Sequence, residues 1–195
     1  MKLLHTHSWD LTPKEAVAIQ RKLAPLVKEE PLREDIETVA GLDVSVRGDP
    51  VRAAIVVLRL PEIEVADQAI WEGPVVFPYI PGLLSFREIP AILPALEKLK
   101  ELPDALMLDA QGIAHPRRFG LACHLGVLMD KPALGVGKSR LVGDRLCDGT
   151  NLRNNNRSGE SPDCPDREAT VTIERPKPQT ALLLDAQHRS LHLMI

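Results

Sequence analysis

No apolar run in this chain comes near the ~20 residues that a membrane-crossing helix needs. The opening stretch "MKLLHTHSWD" has no apolar core of the signal-peptide kind. Cysteine is sparse: Cys123, Cys147 and Cys164 are an odd set without metal-ligand spacing. That argues against a disulfide framework and a thiolate metal site, so a reducing, cytoplasmic setting is the expectation. Neither sign of charge dominates, and a net charge of −3 gives no overall pull toward nucleic acid. The cations are uneven, however. Arg117, Arg118, Lys131, Lys138 and Arg140 stand against Asp130 alone between positions 117 and 140. Aromatic residues make up only 3% of the chain, and its one tyrosine, Tyr79, lies in "FPYIPGLLSFREIP" (77–90), between two prolines. A turn that merely joins two elements needs no ring at its tip.

What is present suits one domain with a sizeable core: 195 residues, 44% of them hydrophobic. Thr12 with Glu15, and Pro13 between them, predict a capped helix. Its apolar stripe is Ala16, Ile19, Leu23, Leu26 and Val27, and Pro25 should kink its last turns. "TVAGLDVSV" (38–46), "VRAAIVVLRL" (51–60) and "IEVADQAIW" (63–71) read as strands joined by short turns, hence an antiparallel meander. A helix over 84–102, interrupted by Pro90 and Pro94, leads to a strand at 104–112, a helix at 116–129 and a strand at 132–138. Three antiparallel strands followed by helix, strand, helix, strand describe a mixed α/β sheet of the RNase H-like arrangement.

Three carboxylates are placed where chemistry is plausible. Asp43 interrupts an apolar strand, and an unpaired buried charge there would be costly. Asp109 ends the strand "ALML", at the sheet edge where α/β proteins tend to bind ligands. Glu88 opens the helix between those two strands. Oxygen ligands of this kind suit Mg²⁺, which keeps waters and accepts substrate phosphate oxygens. Structural alternatives stand beside each: Ser85 and Glu88 could form a capping box, Asp43 could be solvated, and Asp109 could start a turn. Gly112, then His115-Pro116-Arg117-Arg118, offers close backbone approach, an imidazole and two cations for phosphate contact. Lys138 lacks the surrounding pattern of a nucleoside-triphosphate loop.

"VAGLDVSV", "PYIPGLLSFRE", "LMLDAQGIAHPRRFGLACHLG" and "GVGKSRL", in this order and spacing, together resemble the endonuclease V family of deoxyinosine 3′-endonucleases. The resemblance implies an RNase H-like fold and an acidic metal cluster of Asp43, Glu88 and Asp109, with Lys138 positioning the attacking water and scissile phosphate. It implies Mg²⁺ as cofactor, with Mn²⁺ as the alternative. Pro78, Tyr79, Ile80 and Pro81 would form a wedge that enters the space left by an extruded base. Gly82, Leu84, Gly112, His115 and Gly120 would line the pocket for that base. The implied reaction is cleavage of the second phosphodiester bond 3′ to deoxyinosine in DNA, with inosine-containing RNA as an alternative substrate. A monomer without membrane association is expected.

The resemblance runs to about Gly143. Beyond it, "NLRNNNRSGESPDCPDRE" is almost devoid of apolar residues, and the family's Ser-x-Gly-His type segment is missing. Residues 1–143 are therefore expected to be the RNase H-like core. Residues 144–195 are expected to be a divergent, degraded or frame-shifted segment. A lesion-binding protein that no longer cuts is the competing expectation.

Overall fold

The computed structural model describes residues 3–32, 35–46, 50–137 and 142, and the backbone of 192–194. Lys138 and the segment 143–191 lie outside the described residues. Helix α1 (Pro13–Leu23) begins with the expected capping box: the Glu15 amide donates to Thr12 Oγ1, and the Thr12 amide donates to Glu15 Oε2. A single 3₁₀ turn at Ala24–Leu26, containing Pro25, ends it. Ala16 and Leu23 are buried and Ile19 packs half-buried against the core, as the stripe implied. Gln20 joins them in the interior, and Leu26, in the tighter turn, is exposed.

The meander is β1 (Thr38–Ser45), β2 (Val51–Arg59) and β3 (Glu64–Gly73), all antiparallel. β4 (Ala105–Leu108) pairs parallel with β1, and β5 (Ala133–Gly137) pairs parallel with β4. β6 (His192–Met194) adds antiparallel to β5, giving the order β3-β2-β1-β4-β5-β6.

Helix α2 (Leu84–Leu96) runs straight through Pro90 and Pro94. Each proline removes a backbone donor. The helix persists because Ile89, Ile92, Ala95 and Leu96 are buried in the main core with Ala53, Ile55 and Val57 of β2. The expected continuation to 102 is replaced by turns after Leu96. Helix α3 (Leu121–Met129) starts five positions later than expected. "HPRR" closes instead as a turn, with the Arg118 amide donating to the His115 carbonyl at 2.7 Å and Arg118 at φ 50°.

The core occupies one face of the sheet, where Ala40, Leu42, Leu106 and Leu108 meet α2 and α3. Strand alternation puts Asp43 on the other face, beside Ala54 and Ile70 of β2 and β3. A second cluster, Ala16, Phe77, Leu83 and Phe86 with Val17 and Ile80 against it, joins α1 to the loop before α2. Burying each phenylalanine is worth about 1.5–3 kcal/mol relative to exposure. The loop carrying Tyr79 is thus anchored at its root.

Candidate active site and nucleic-acid interface

Residues 80–83 form a tight turn in which the Leu83 amide donates to the Ile80 carbonyl at 2.9 Å. Pro81 and Gly82 occupy its central positions, and Gly82 has φ +77°. This is a type II turn, whose third position favours glycine because of that positive φ. Pro78, Tyr79 and Pro81 are exposed while Phe77 is buried. Tyr79 is 67% exposed, with the Arg87 guanidinium 6.0 Å from its ring centroid. The only tyrosine is presented to solvent on a rigid support.

The Gly82 carbonyl behind that turn accepts from three side chains: Gln20 Nε2 at 3.0 Å, His115 Nε2 at 3.1 Å and Arg117 Nη2 at 2.6 Å. Arg117 Nε also donates to Gln20 Oε1 at 2.6 Å, and Gln20 Nε2 reaches the Phe119 carbonyl. The Arg117 amide donates to His115 Nδ1. That assignment makes His115 the neutral Nε2–H tautomer with both nitrogens engaged. Burial, then the Arg117 charge, holds its pKa below the ordinary value. Burial, then Arg21, also lowers that of Arg117. Arg117, expected at a phosphate, is therefore turned inward as a clamp. Arg118 is exposed and pairs with Glu29 at 2.9 Å.

Gly112 and Gly120 are joined by the Gly120 amide donating to the Gly112 carbonyl at 2.9 Å. A Cβ at Gly120 would run into the Gln111 carbonyl, so close backbone approach explains this glycine. Leu84, half-buried, begins α2 directly after the turn.

At the sheet edge, Leu42 pairs with Leu108, and the Asp109 amide donates to the Leu42 carbonyl at 3.2 Å. Asp43 and Asp109 each directly follow the last pair of this ladder, with Asp109 already in the bend after β4. Asp43 is exposed, and its carboxylate accepts from the Val44 amide at 2.9 Å. The expectation of a buried charge is thus corrected, because Asp43 lies on the face away from the helices. Glu88 is half-buried in the first turns of α2. The alternative capping box with Ser85 does not form, since α2 has no side-chain cap and Ser85 Oγ bonds His124 Nδ1 at 3.0 Å. Among the described residues, no group of three or more His, Cys, Asp or Glu side chains stands at metal-binding separation.

Sequence reasoning missed Gln20 and the chain behind Ser85. His124, fully buried, contacts His7 Nε2 through its own Nε2 at 2.8 Å, and His7 Nδ1 donates to the Ser8 carbonyl at 2.7 Å. His7 therefore presents a lone pair to His124 Nε2–H, and His124 Nδ1 accepts from the Ser85 hydroxyl. Burial lowers the His124 pKa to about 3. For Gln20 the signal was a polar residue four positions after buried Ala16 and three before Leu23.

The endonuclease V family model matches residues 21–178 of the chain. The chain belongs to the endonuclease V family. The match continues past Gly143, where the quoted motifs stop. Endonuclease V of Nostoc punctiforme is 49% identical over 146 residues, covering 73% of this chain and 66% of that protein. The chain thus spans just under two thirds of that curated relative's length. The crystal structure of endonuclease V from Streptomyces avermitilis superposes with a TM-score of 0.63 at 44% identity, covering 68% of this chain and 60% of that one. That of Ciona intestinalis endonuclease V, in complex with DNA containing an inosine followed by a ribo-adenosine, has a TM-score of 0.59 at 30% identity. It covers 65% of this chain and 57% of that one. The fold is the RNase H-like mixed sheet that the element order implied.

Proposed function

We propose that this chain is a Mg²⁺-dependent endonuclease that recognises deoxyinosine in DNA and hydrolyses the second phosphodiester bond 3′ to it. The observation that carries this reading is one continuous stretch. Residues 109–115 lead from the Asp43–Asp109 ladder to His115, which holds the Gly82 turn behind Tyr79. Even fully extended, those residues span no more than ~20 Å. The Ciona relative's complex with inosine-containing DNA supports the substrate class.

Two adjacent aspartates fit Mg²⁺, which needs only one or two protein carboxylates alongside waters and substrate phosphates. Asp43 and Asp109 would hold the ion, Glu88 would join from α2, and Mn²⁺ is the alternative occupant. When bound, it supplies an activated water and neutralises charge on the phosphodiester. Lys138, which directly follows β5, is assigned to positioning that water and the scissile phosphate. Tyr79 fills the gap in the base stack when the lesion leaves it. Extruding the base costs a few kcal/mol, least for a poorly paired base such as hypoxanthine. Gly82, Leu84, Gly112, His115 and Gly120 receive it. His115 contributes shape and a fixed turn, since neither of its nitrogens is open to a proton transfer.

The test is nicking of an end-labelled duplex with one deoxyinosine, in Mg²⁺ and in EDTA, with Asp43→Ala alongside. A Mg²⁺-dependent cut at the second 3′ linkage, absent in the variant, is expected. Binding without cutting by folded protein would instead identify a lesion-binding remnant. Inosine in RNA is a second reading, favoured by the ribo-adenosine that follows the inosine in the Ciona complex. Substituting a ribonucleotide 3′ to the lesion in the same duplex separates the two.

A further inference from the structure

We infer that the exposed face of α1 is a backbone-binding track for DNA, formed by Lys14 and Arg21, which line a shallow groove together with Val17 and Ala18. The inference rests on the proposed substrate class. Positions 14, 17, 18 and 21 share one face of a helix at i, i+3, i+4 and i+7. The two cations are therefore about 10 Å apart along the axis, a span matching about three phosphates of one strand. Both are exposed, and neither is ion-paired among the described residues. The nearest acid on the helix, Glu15, is folded back onto Thr12 by its capping bonds and leaves the groove positive.

Position ties this groove to the proposed site. Val17 packs against the cluster that roots the Tyr79 loop. Gln20, one residue before Arg21, donates to Gly82, and Arg21 lies close enough to Arg117 to lower its pKa. Exposed cations on a solvated helix face are ordinarily unpaired, so what distinguishes Lys14 and Arg21 from Lys22 is that they line this groove together. With Arg117 spent internally, Lys14 and Arg21 supply the phosphate contact first assigned to it.

The test is fluorescence anisotropy of labelled duplexes with deoxyinosine or adenine at one position, with Ca²⁺ replacing Mg²⁺, across a salt series. The proteins are wild type, Lys14→Ala/Arg21→Ala, and Lys22→Ala as an exposed control on the same helix. Each lost phosphate contact should reduce the slope of log K against log salt by about 0.9, hence about 1.8 for the double variant. Affinity for both duplexes should fall by the same factor, with the Lys22→Ala slope unchanged. An unaltered slope in the double variant, or a loss confined to the deoxyinosine duplex, overturns the track. A wild type that binds both duplexes equally overturns the lesion reading while leaving the slope comparison intact.

Discussion

The Gly82 clamp and the Asp43–Asp109 ladder are built in opposite ways. Around Gly82, one carbonyl gathers three donors from two parts of the chain, α1 and the 115–118 turn, and every side-chain polar atom of Gln20 and both nitrogens of His115 are engaged. At the ladder, an exposed aspartate follows a buried leucine on a sheet face lined by Ala54 and Ile70, with Ile70 57% exposed. The Gly82 turn, on the proposed recognition side, is held by internal hydrogen bonds. The proposed chemical side is more open, with Asp43 in solvent and Asp109 and Glu88 half-buried. On the proposed reading, rigidity at the Tyr79 loop would favour discrimination, because a preorganised loop loses little entropy on entering a base stack.

Removing a carboxylate should separate the two regions most sharply. Asp43→Ala or Asp109→Asn is expected to cut nicking by about 100-fold or more, the scale of losing a charge-stabilising group. For exposed Asp43→Ala, unfolding free energy should move by no more than ~0.5 kcal/mol. Gel-resolved nicking rates and urea melts on one preparation check this, and a large drop in stability would show Asp43 to be structural.

The buried His124 should dominate the acid response. Its folded pKa of about 3 lies below the ordinary 6.5, so the unfolded chain binds the extra proton. Its stabilising contribution is full above pH 6.5 and is lost as the pH falls toward 3. The decline should approach ~1.4 kcal/mol per pH unit within that window. His124→Gln should be less stable at neutral pH with a shallower dependence, read from urea melts at stepped pH. His7 and His115, shifted in the same direction, leave a residual slope. An unchanged slope would mean that His124 is protonated in the folded state.

Arg117→Ala should cost roughly 1–3 kcal/mol, because the buried Gln20 oxygen loses its donor and the Gly82 carbonyl loses its shortest bond. Lesion preference should fall with it, as the turn behind Tyr79 loosens. Full stability combined with weaker binding to all DNA would return Arg117 to the phosphate role. Smallest in stability terms is Tyr79→Ala, expected within ~0.5 kcal/mol of wild type because the ring is exposed. It should still lower the preference for deoxyinosine several-fold in binding. Equal loss of metal binding would erase the distinction between the two regions.

Locally encoded features were legible. Thr12 and Glu15 are three residues apart, Pro81-Gly82 dictates a turn by backbone stereochemistry, and the alternating strands of the meander announce themselves by period. Asp43 inside the apolar strand β1 and Asp109 directly after the apolar strand β4 were both legible as acids in apolar surroundings. The helix through Pro90 and Pro94 was legible from its apolar pattern, and burial of Ile89, Ile92 and Leu96 offsets the two missing donors, but its end at Leu96 rather than 102 was not. Nor was the inward turn of Arg117: its partners, Gln20 and Gly82, are 97 and 35 residues away in sequence.

The sequence by itself determined where the chain turns, which segments pair as an antiparallel meander, and which acids stand in or directly after the apolar strands. These depend on neighbours a few residues away, whose φ preferences and periodicity act before folding is complete. Only the tertiary structure decided which face of β1 carries Asp43, that His115 is locked neutral, and that Arg117 is engaged internally while Lys14 and Arg21 are exposed. Burial, tautomer and ion pairing depend on what distant segments bring within about 3 Å of a group, and no local pattern encodes that distance.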